Sequence, residues 1–186
     1  MLAGGGLAVY LGAAAGHQEP TARPRPTARS VRVVSALTVG LIAFGPDDDG
    51  DPWTNDPEDH PLMLRPSRPY PVFAQIPRPE LTAGTPQWTA DKMADGSVIF
   101  IDIATGQCLT ASASGTRVVL AHCDLSPLQH WRARGQRTVF GQSVAQYQNI
   151  GSGGCVTAPR IAGQALLSRC GRAGTRSQEI AFWWGA

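Results

Sequence analysis

The chain has 186 residues, with 16 basic and 14 acidic side chains for a formal charge of +2, and 21 glycines beside 15 prolines. That length suits one folded domain, and a charge so near zero gives no compositional case for a nucleic-acid binder, which shows a basic stripe. Glycine plus proline make up about a fifth of the chain, above the average of roughly 12% and short of low complexity.

The charges are unevenly placed. Residues 1–45 hold four arginines (Arg23, Arg25, Arg29, Arg32) and the single acid Glu19, whereas residues 47–59 hold seven acids and no base. Two apolar runs, Met1–Ala15 and Val33–Phe44, are shorter than the roughly 18 to 20 residues that span a bilayer, so no transmembrane anchor is expected. The second run follows a basic stretch and ends on Gly45 and Pro46, the order of a secretory signal. Residues 1–45 are therefore expected to be an export region with Val33–Phe44 as its signal; Met1–Ala15 is the alternative, and a buried strand is the structural reading. No cysteine precedes position 108, so no lipid-anchored cysteine follows the signal.

Residues 46–79 contain nine prolines. Proline fixes φ and removes a backbone donor, so this segment is expected to be an acidic, extended arm. Its scattered apolar residues, among them Trp53, Leu62, Leu64, Tyr70, Val72, Phe73 and Ile76, suggest an arm that docks on something, because a plain linker has no need of them.

From residue 80 the strongest signal is a repeat. Cys108 and Cys123 are 15 apart, Cys155 and Cys170 are again 15 apart, and the pairs are offset by 47. Ile103-Ala-Thr-Gly-Gln-Cys-Leu-Thr-Ala111 aligns with Ile150-Gly-Ser-Gly-Gly-Cys-Val-Thr-Ala158, and Val118-Val-Leu-Ala-His-Cys123 aligns with Ala165-Leu-Leu-Ser-Arg-Cys170. Ser97–Ile103 and Val144–Ile150 read as strands, each followed by a glycine turn, with Val118–Leu120 and Leu166–Leu167 as the next strands. Helical periodicity is absent, and the fold class is all-β with a closed or nearly closed architecture. Four cysteines in an exported chain allow three pairings; the symmetry of the repeat selects 108–123 and 155–170. A metal site is not expected, because there is no C-x-x-C and His122 has no counterpart in the second unit, where Arg169 stands.

Gly106-Gln-Cys-Leu-Thr110, Val-Val-Leu-Ala-His-Cys123 and Gln129-His-Trp131 together resemble the ricin-B-type β-trefoil lectin repeat, with its Cys-Leu segment, second Cys and terminal Gln-x-Trp. A trefoil needs three repeats. Pro86-Gln-Trp88 resembles the end of a foreshortened first one, whose body would begin near Tyr70, within a lectin-like domain placed at residues 80–186. The short first unit, the proline-rich arm, Gln146–Thr157 and the closing Trp183-Trp184-Gly185 more narrowly resemble the lectin-like A and C subunits of cytolethal distending toxins, the C subunit above all. That resemblance implies a secreted, non-catalytic subunit. It would assemble with a nuclease subunit and a second lectin-like subunit, hold them with its arm, and bind a glycan or lipid of the host cell surface.

A galactose-binding repeat of this type places Asp two residues after its first Cys; here Thr110 and Thr157 stand there, and a hydroxyl accepts more weakly than a carboxylate. The resemblance makes Gln129 and Trp131 candidate ligand residues, with a core role as the other reading, and in the last unit Ile180 and Phe182 or Trp183 are expected to replace them. Trp183 and Trp184 are candidate exposed anchors, since aromatics are enriched at binding hot spots. Arg132, Arg134, Arg137, Arg160, Arg169, Arg172 and Arg176 share residues 132–186 with one acid, Glu179, as a surface for acidic glycans or headgroups would. No G-x-S-x-G, P-loop or H-E-x-x-H occurs, and Asp91, Asp95, Asp102 and Asp124 form no recognisable acid–base pair, so no catalytic residue and no cofactor is expected. A free-standing secreted lectin is the alternative function, and a hydrolase with an unfamiliar site is the third.

Overall fold

The computed structural model describes residues 33–43, 62–75, 87–139, 142–160, 162–172 and 175–183. These form strands in three successive units. The first comprises β1 (Val33–Ala43), β2 (Leu62–Arg65), β3 (Val72–Gln75) and β4 (Trp88–Met93). The second comprises β5 (Val98–Asp102), β6 (Cys108–Ala111), β7 (Val118–Ala121) and β8 (Trp131–Val139). In the third, β9 (Gln142–Asn149), β10 (Gly154–Thr157), β12 (Leu166–Arg169) and β13 (Glu179–Trp183) repeat the plan, with the two-residue β11 (Gly163–Gln164) paired to β3.

The first and last strand of each unit close a ring. β1 pairs β4, β4 pairs β5, β5 pairs β8, β8 pairs β9, β9 pairs β13, and β13 returns to β1, every pairing antiparallel. The middle strands form three hairpins, β2–β3, β6–β7 and β10–β12, which bond to one another: Leu120 N–H donates to Pro69 O, Ala165 N–H to Pro71 O, and Leu167 N–H to Thr116 O. A six-stranded barrel with three hairpins in threefold arrangement is a β-trefoil.

Side chains alternate across a strand, so the register sets the barrel core in layers. Val39 stands opposite Trp88, Val98 opposite Trp131 and Ala145 opposite Ile180. In the next layer Leu41 stands opposite Phe182 and Phe100 opposite Ala90, while Tyr147 stands opposite the exposed Ala133. Phe100 meets Tyr147 edge-on at 5.2 Å, and Phe182 stacks on Tyr147 at 5.5 Å. Aromatic pairs of this geometry add roughly 0.5–1.5 kcal/mol beyond their buried area.

The first unit differs from the sequence expectation in three respects. Val33–Ala43, within the run Val33–Phe44 expected as an export signal, is β1, and Val39, Leu41, Ile42 and Ala43 are buried between β13, β2 and β4. Residues 33–38 of this strand are exposed and 39–43 are buried; an uncharged apolar run suits such a strand as well as it suits a signal. The run Met1–Ala15 lies outside the described residues. Second, the arm of residues 46–79 contains β2 and β3. Its prolines at 66, 69 and 71 fall in the connection between these strands, where they remove no ladder donor, while Leu62, Leu64 and Phe73 dock on the chain's own core. Trp53, Ile76 and the acidic run 47–59 lie outside the described residues. Third, the described part of the first unit reaches back past Tyr70 to Val33, and the trefoil accordingly extends before residue 80.

Candidate functional site

The hallmark Gln129 sits at the end of a 3₁₀ turn, Pro127–Gln129, which Ser126 opens by accepting Gln129 N–H at 2.9 Å. Its amide is fully occupied. Oε1 accepts Asp124 N–H at 2.8 Å and Leu125 N–H at 3.0 Å, while Nε2 donates to His122 O at 2.7 Å and Thr110 Oγ1 at 3.2 Å. Trp131 is 0% exposed and its indole donates to Leu109 O at 2.9 Å. Both residues therefore serve the core: they bind the 3₁₀ turn, the hairpin and the barrel together, and present nothing to a ligand.

Gln178 repeats this arrangement in the third unit. It closes the 3₁₀ turn Arg176–Gln178, Thr175 O accepts its N–H, and its amide reaches Gly171 N–H, Arg169 O, Ser168 Oγ and Thr157 Oγ1. The third unit thus keeps the Gln, and Ile180 takes the place of the Trp; the expected replacement of the Gln by Ile180 does not occur. The signal was present in Ser126–Gln129 and Thr175–Gln178, each a hydroxyl residue three before a Gln, but the spacing from the preceding Cys grows from 6 to 8. In the first unit Trp88 holds the Trp position, 0% exposed and donating to Leu64 O at 2.8 Å.

Thr110 and Thr157 are spent in the same networks. Thr110 Oγ1 donates to Cys108 O at 2.9 Å and Thr157 Oγ1 to Cys155 O at 3.0 Å, while each accepts from its Gln. The position where a sugar-binding carboxylate would stand is closed by a structural hydroxyl. Just behind them lie the two disulfides, Cys108–Cys123 and Cys155–Cys170, with Cα separations of 5.1 and 5.0 Å and the symmetric pairing.

The candidate carboxylates each serve a local turn. Asp102 accepts Ala104 N–H at 3.1 Å and Thr105 Oγ1 at 2.5 Å, and Asp124 accepts Ser126 N–H at 2.9 Å. Asp95 accepts the Ser97 hydroxyl at 2.6 Å and backbone N–H at 2.9 Å, bonds that hold its carboxyl below the usual range. Burial pushes Asp91 the other way, and its Oδ1 has no partner. Ser97 also contacts His130 Nδ1 at 2.8 Å. With its proton given to Asp95, the hydroxyl accepts from the imidazole, the reverse of the order that activates a nucleophile, and Ser97 is 0% exposed. Among the described residues no three His, Cys, Asp or Glu side chains are grouped to hold a metal, and no helix is long and apolar enough to cross a membrane.

Two surface features remain. Arg132, Arg134 and Arg137 run along β8. Arg137 is held bidentately by Glu179, at 2.6 and 2.5 Å, which raises its pKa, and Arg134 donates to Gln148 Oε1 at 3.4 Å. Arg134 pairs with Gln146, whose amide donates to Arg172 O at 2.9 Å, so Arg172 adjoins the stripe. The second feature is a cleft of about 540 Å³ between the β2–β3 connection and the β5–β6 turn, lined by Pro66, Ser67, Arg68, Gln87, Ile103 and Leu120 among others. Trp183 lies on β13 opposite Gly40; Trp184 is outside the described residues, and Phe182 is a core residue.

No family model matches the chain. A segment of 64 residues is 28% identical to the N-acetylgalactosaminyltransferases 7 of Homo sapiens and Pongo abelii, a match covering 34% of this chain and 9% of theirs, so the chain spans about a tenth of the length of these curated relatives. Among solved structures it is similar to ThreeFoil, a designed threefold-symmetric protein (14% identity, TM-score 0.54, covering 78% of this chain and 97% of that one). It is also similar to the hemolytic lectin CEL-III (16%, TM-score 0.50, 80% and 33%). A chain of the Haemophilus ducreyi cytolethal distending toxin is similar as well (14%, TM-score 0.50, 78% and 82%). At these identities the likeness is one of fold: the chain is a β-trefoil.

Proposed function

We propose that the protein is the non-catalytic, surface-binding subunit of a secreted toxin of the cytolethal distending type, closest in kind to its C subunit, assembling with a nuclease subunit and a second lectin-like subunit. The observation that carries this reading is the internal use of the sugar-site groups. Gln129, Gln178, Thr110 and Thr157 are all consumed in holding the trefoil together, which favours a lectin scaffold turned to a different surface over a conventional galactose lectin. Two disulfides support a product matured in an oxidising compartment, outside the cell. The arginines of β8 support contact with an acidic glycan or lipid headgroup.

Two experiments test it. Neighbouring reading frames are expected to encode a nuclease and a second trefoil; co-expression with them should yield a complex that survives gel filtration, and free migration of all three chains, or the absence of such frames, contradicts the reading. The labelled chain is expected to bind cultured cells without altering substrate glycans. Release of sugar from those glycans would favour the hydrolase instead, and galactose binding abolished by Gln129→Ala would favour a free-standing lectin.

A further inference from the structure

The cleft between the first two units holds polar groups that the fold leaves unused. Gln87, from the residue before β4, lines it, and its side-chain Oε1 is buried with no hydrogen-bond partner. Native proteins pair nearly all buried polar atoms, so an orphan beside a cleft calls for an explanation. Arg68, at the rim on the β2–β3 connection, is exposed and has no acidic partner among the described residues. Asp102 lines the same cleft, but it is 2% exposed and its two oxygens are turned onto Ala104 and Thr105. The guanidinium is thus the charge that the cleft presents. Ile103, 50% exposed, and Leu120 supply an apolar wall, and Ser67 adds a hydroxyl.

We infer that this cleft is a binding subsite for a sugar residue carrying one anionic group, a carboxylate or a sulfate. Ligand sites typically have volumes of about 300–1,000 Å³, mostly apolar walls and a few convergent polar groups, and the cleft fits that description. Arg68 would take the anionic group through a paired N–H fork. Turned outward by rotation of its side chain, the Gln87 amide would bond a ring hydroxyl, and the C–H face of the ring would lie on Ile103 and Leu120. The site is built at the seam of two units, apart from the positions of Thr110, Gln129 and Trp131. The inference rests on the surface-binding reading and gives that surface a location and a chemistry.

The test is titration of the full chain with sialyllactose, a sulfated lactose and plain lactose, followed by calorimetry or protein-observed NMR. Each anionic probe that binds is expected to do so about tenfold or more tightly than lactose. Arg68→Gln should remove that preference. Ala104→Trp, on an exposed turn at the cleft, should block binding of all three, and both variants should keep the wild-type melting temperature because neither residue is buried. Equal affinity for lactose, anionic binding unchanged in both variants, or no binding at about 10 mM probe would each overturn the inference. Cell binding that persists in both variants would overturn the cleft and leave the wider reading standing; a wild-type chain that binds no cell would end both.

Discussion

The first and second units occupy equivalent thirds of one barrel, yet they share little of the sequence by which such a unit is known. The second has the Cys pair, the Gln and the Trp. The first has only the Trp: Met63 takes the place of Cys108, as their pairing with Ala74 and Ala121 shows, and Pro86 stands where the Gln belongs. The third keeps the Cys pair and the Gln but replaces the Trp by Ile180. Each unit thus retains a different subset, and what all three keep is the register that fills the barrel. The hallmark residues are separable supports of one architecture, and losing any one of them leaves the ring closed.

The comparison breaks first if Trp88 is dispensable. Trp88→Ala and Trp131→Ala each remove a fully buried indole and its bond to a hairpin carbonyl, and each is expected to cost about 3–5 kcal/mol, read as the change in urea midpoint at constant slope. A first unit that merely leans on a two-unit core would lose much less at Trp88. Next come the cysteines. Replacing either pair by serine opens a 15-residue loop and is expected to cost about 3 kcal/mol, with the two pairs giving similar losses in thermal melts. A large inequality would show that the second and third units are not energetic equivalents.

Gln129→Leu and Gln178→Leu each strand several backbone groups and are expected to cost roughly 1–3 kcal/mol. Similar values would confirm Gln178 as the counterpart of Gln129, and a neutral Gln178→Leu would break that equivalence. The smallest effects concern the seam between the first two units. Burial raises the Asp91 pKa in the folded chain, so its protonated form favours folding. That contribution is whole below the unfolded pKa and falls away as pH rises through the folded one. Asp91→Asn should therefore raise the melting temperature slightly at neutral pH and leave it unchanged near pH ~3. Asp95 has the opposite sign. Its pKa is lowered by Ser97, so its stabilisation is present above the unfolded value and fades as pH falls through the folded one. Asp95→Asn should lower the melting temperature at neutral pH, and the difference should vanish in strong acid.

Much of the second and third units was legible because their positions demand particular residues. Gly106 and Gly153 adopt φ of 67° and 75°, which few other residues tolerate, and only cysteines can make the bridges that follow. The first unit carried no such demand. Met63 fills its position by bulk, β1 is a run of apolar residues, and neither has a chemistry that marks it as trefoil. The displaced Gln178 shows a second limit, since two extra residues in a loop cost the fold little and shift an alignment completely. The cleft was not legible at all. Arg68, Gln87 and Ile103 come from three separate stretches of chain and meet only because the first two units share a seam.

β1 belongs to the barrel, paired on either side with β13 and β4. Amide hydrogen exchange on the intact chain, resolved by mass spectrometry, tests this. Peptides covering Val39–Ala43 are predicted to be protected as deeply as those covering Ile180–Ala181, to which Ile42 and Ala43 are paired. Exchange of residues 33–43 within seconds, while β9 and β13 stay protected, would contradict it.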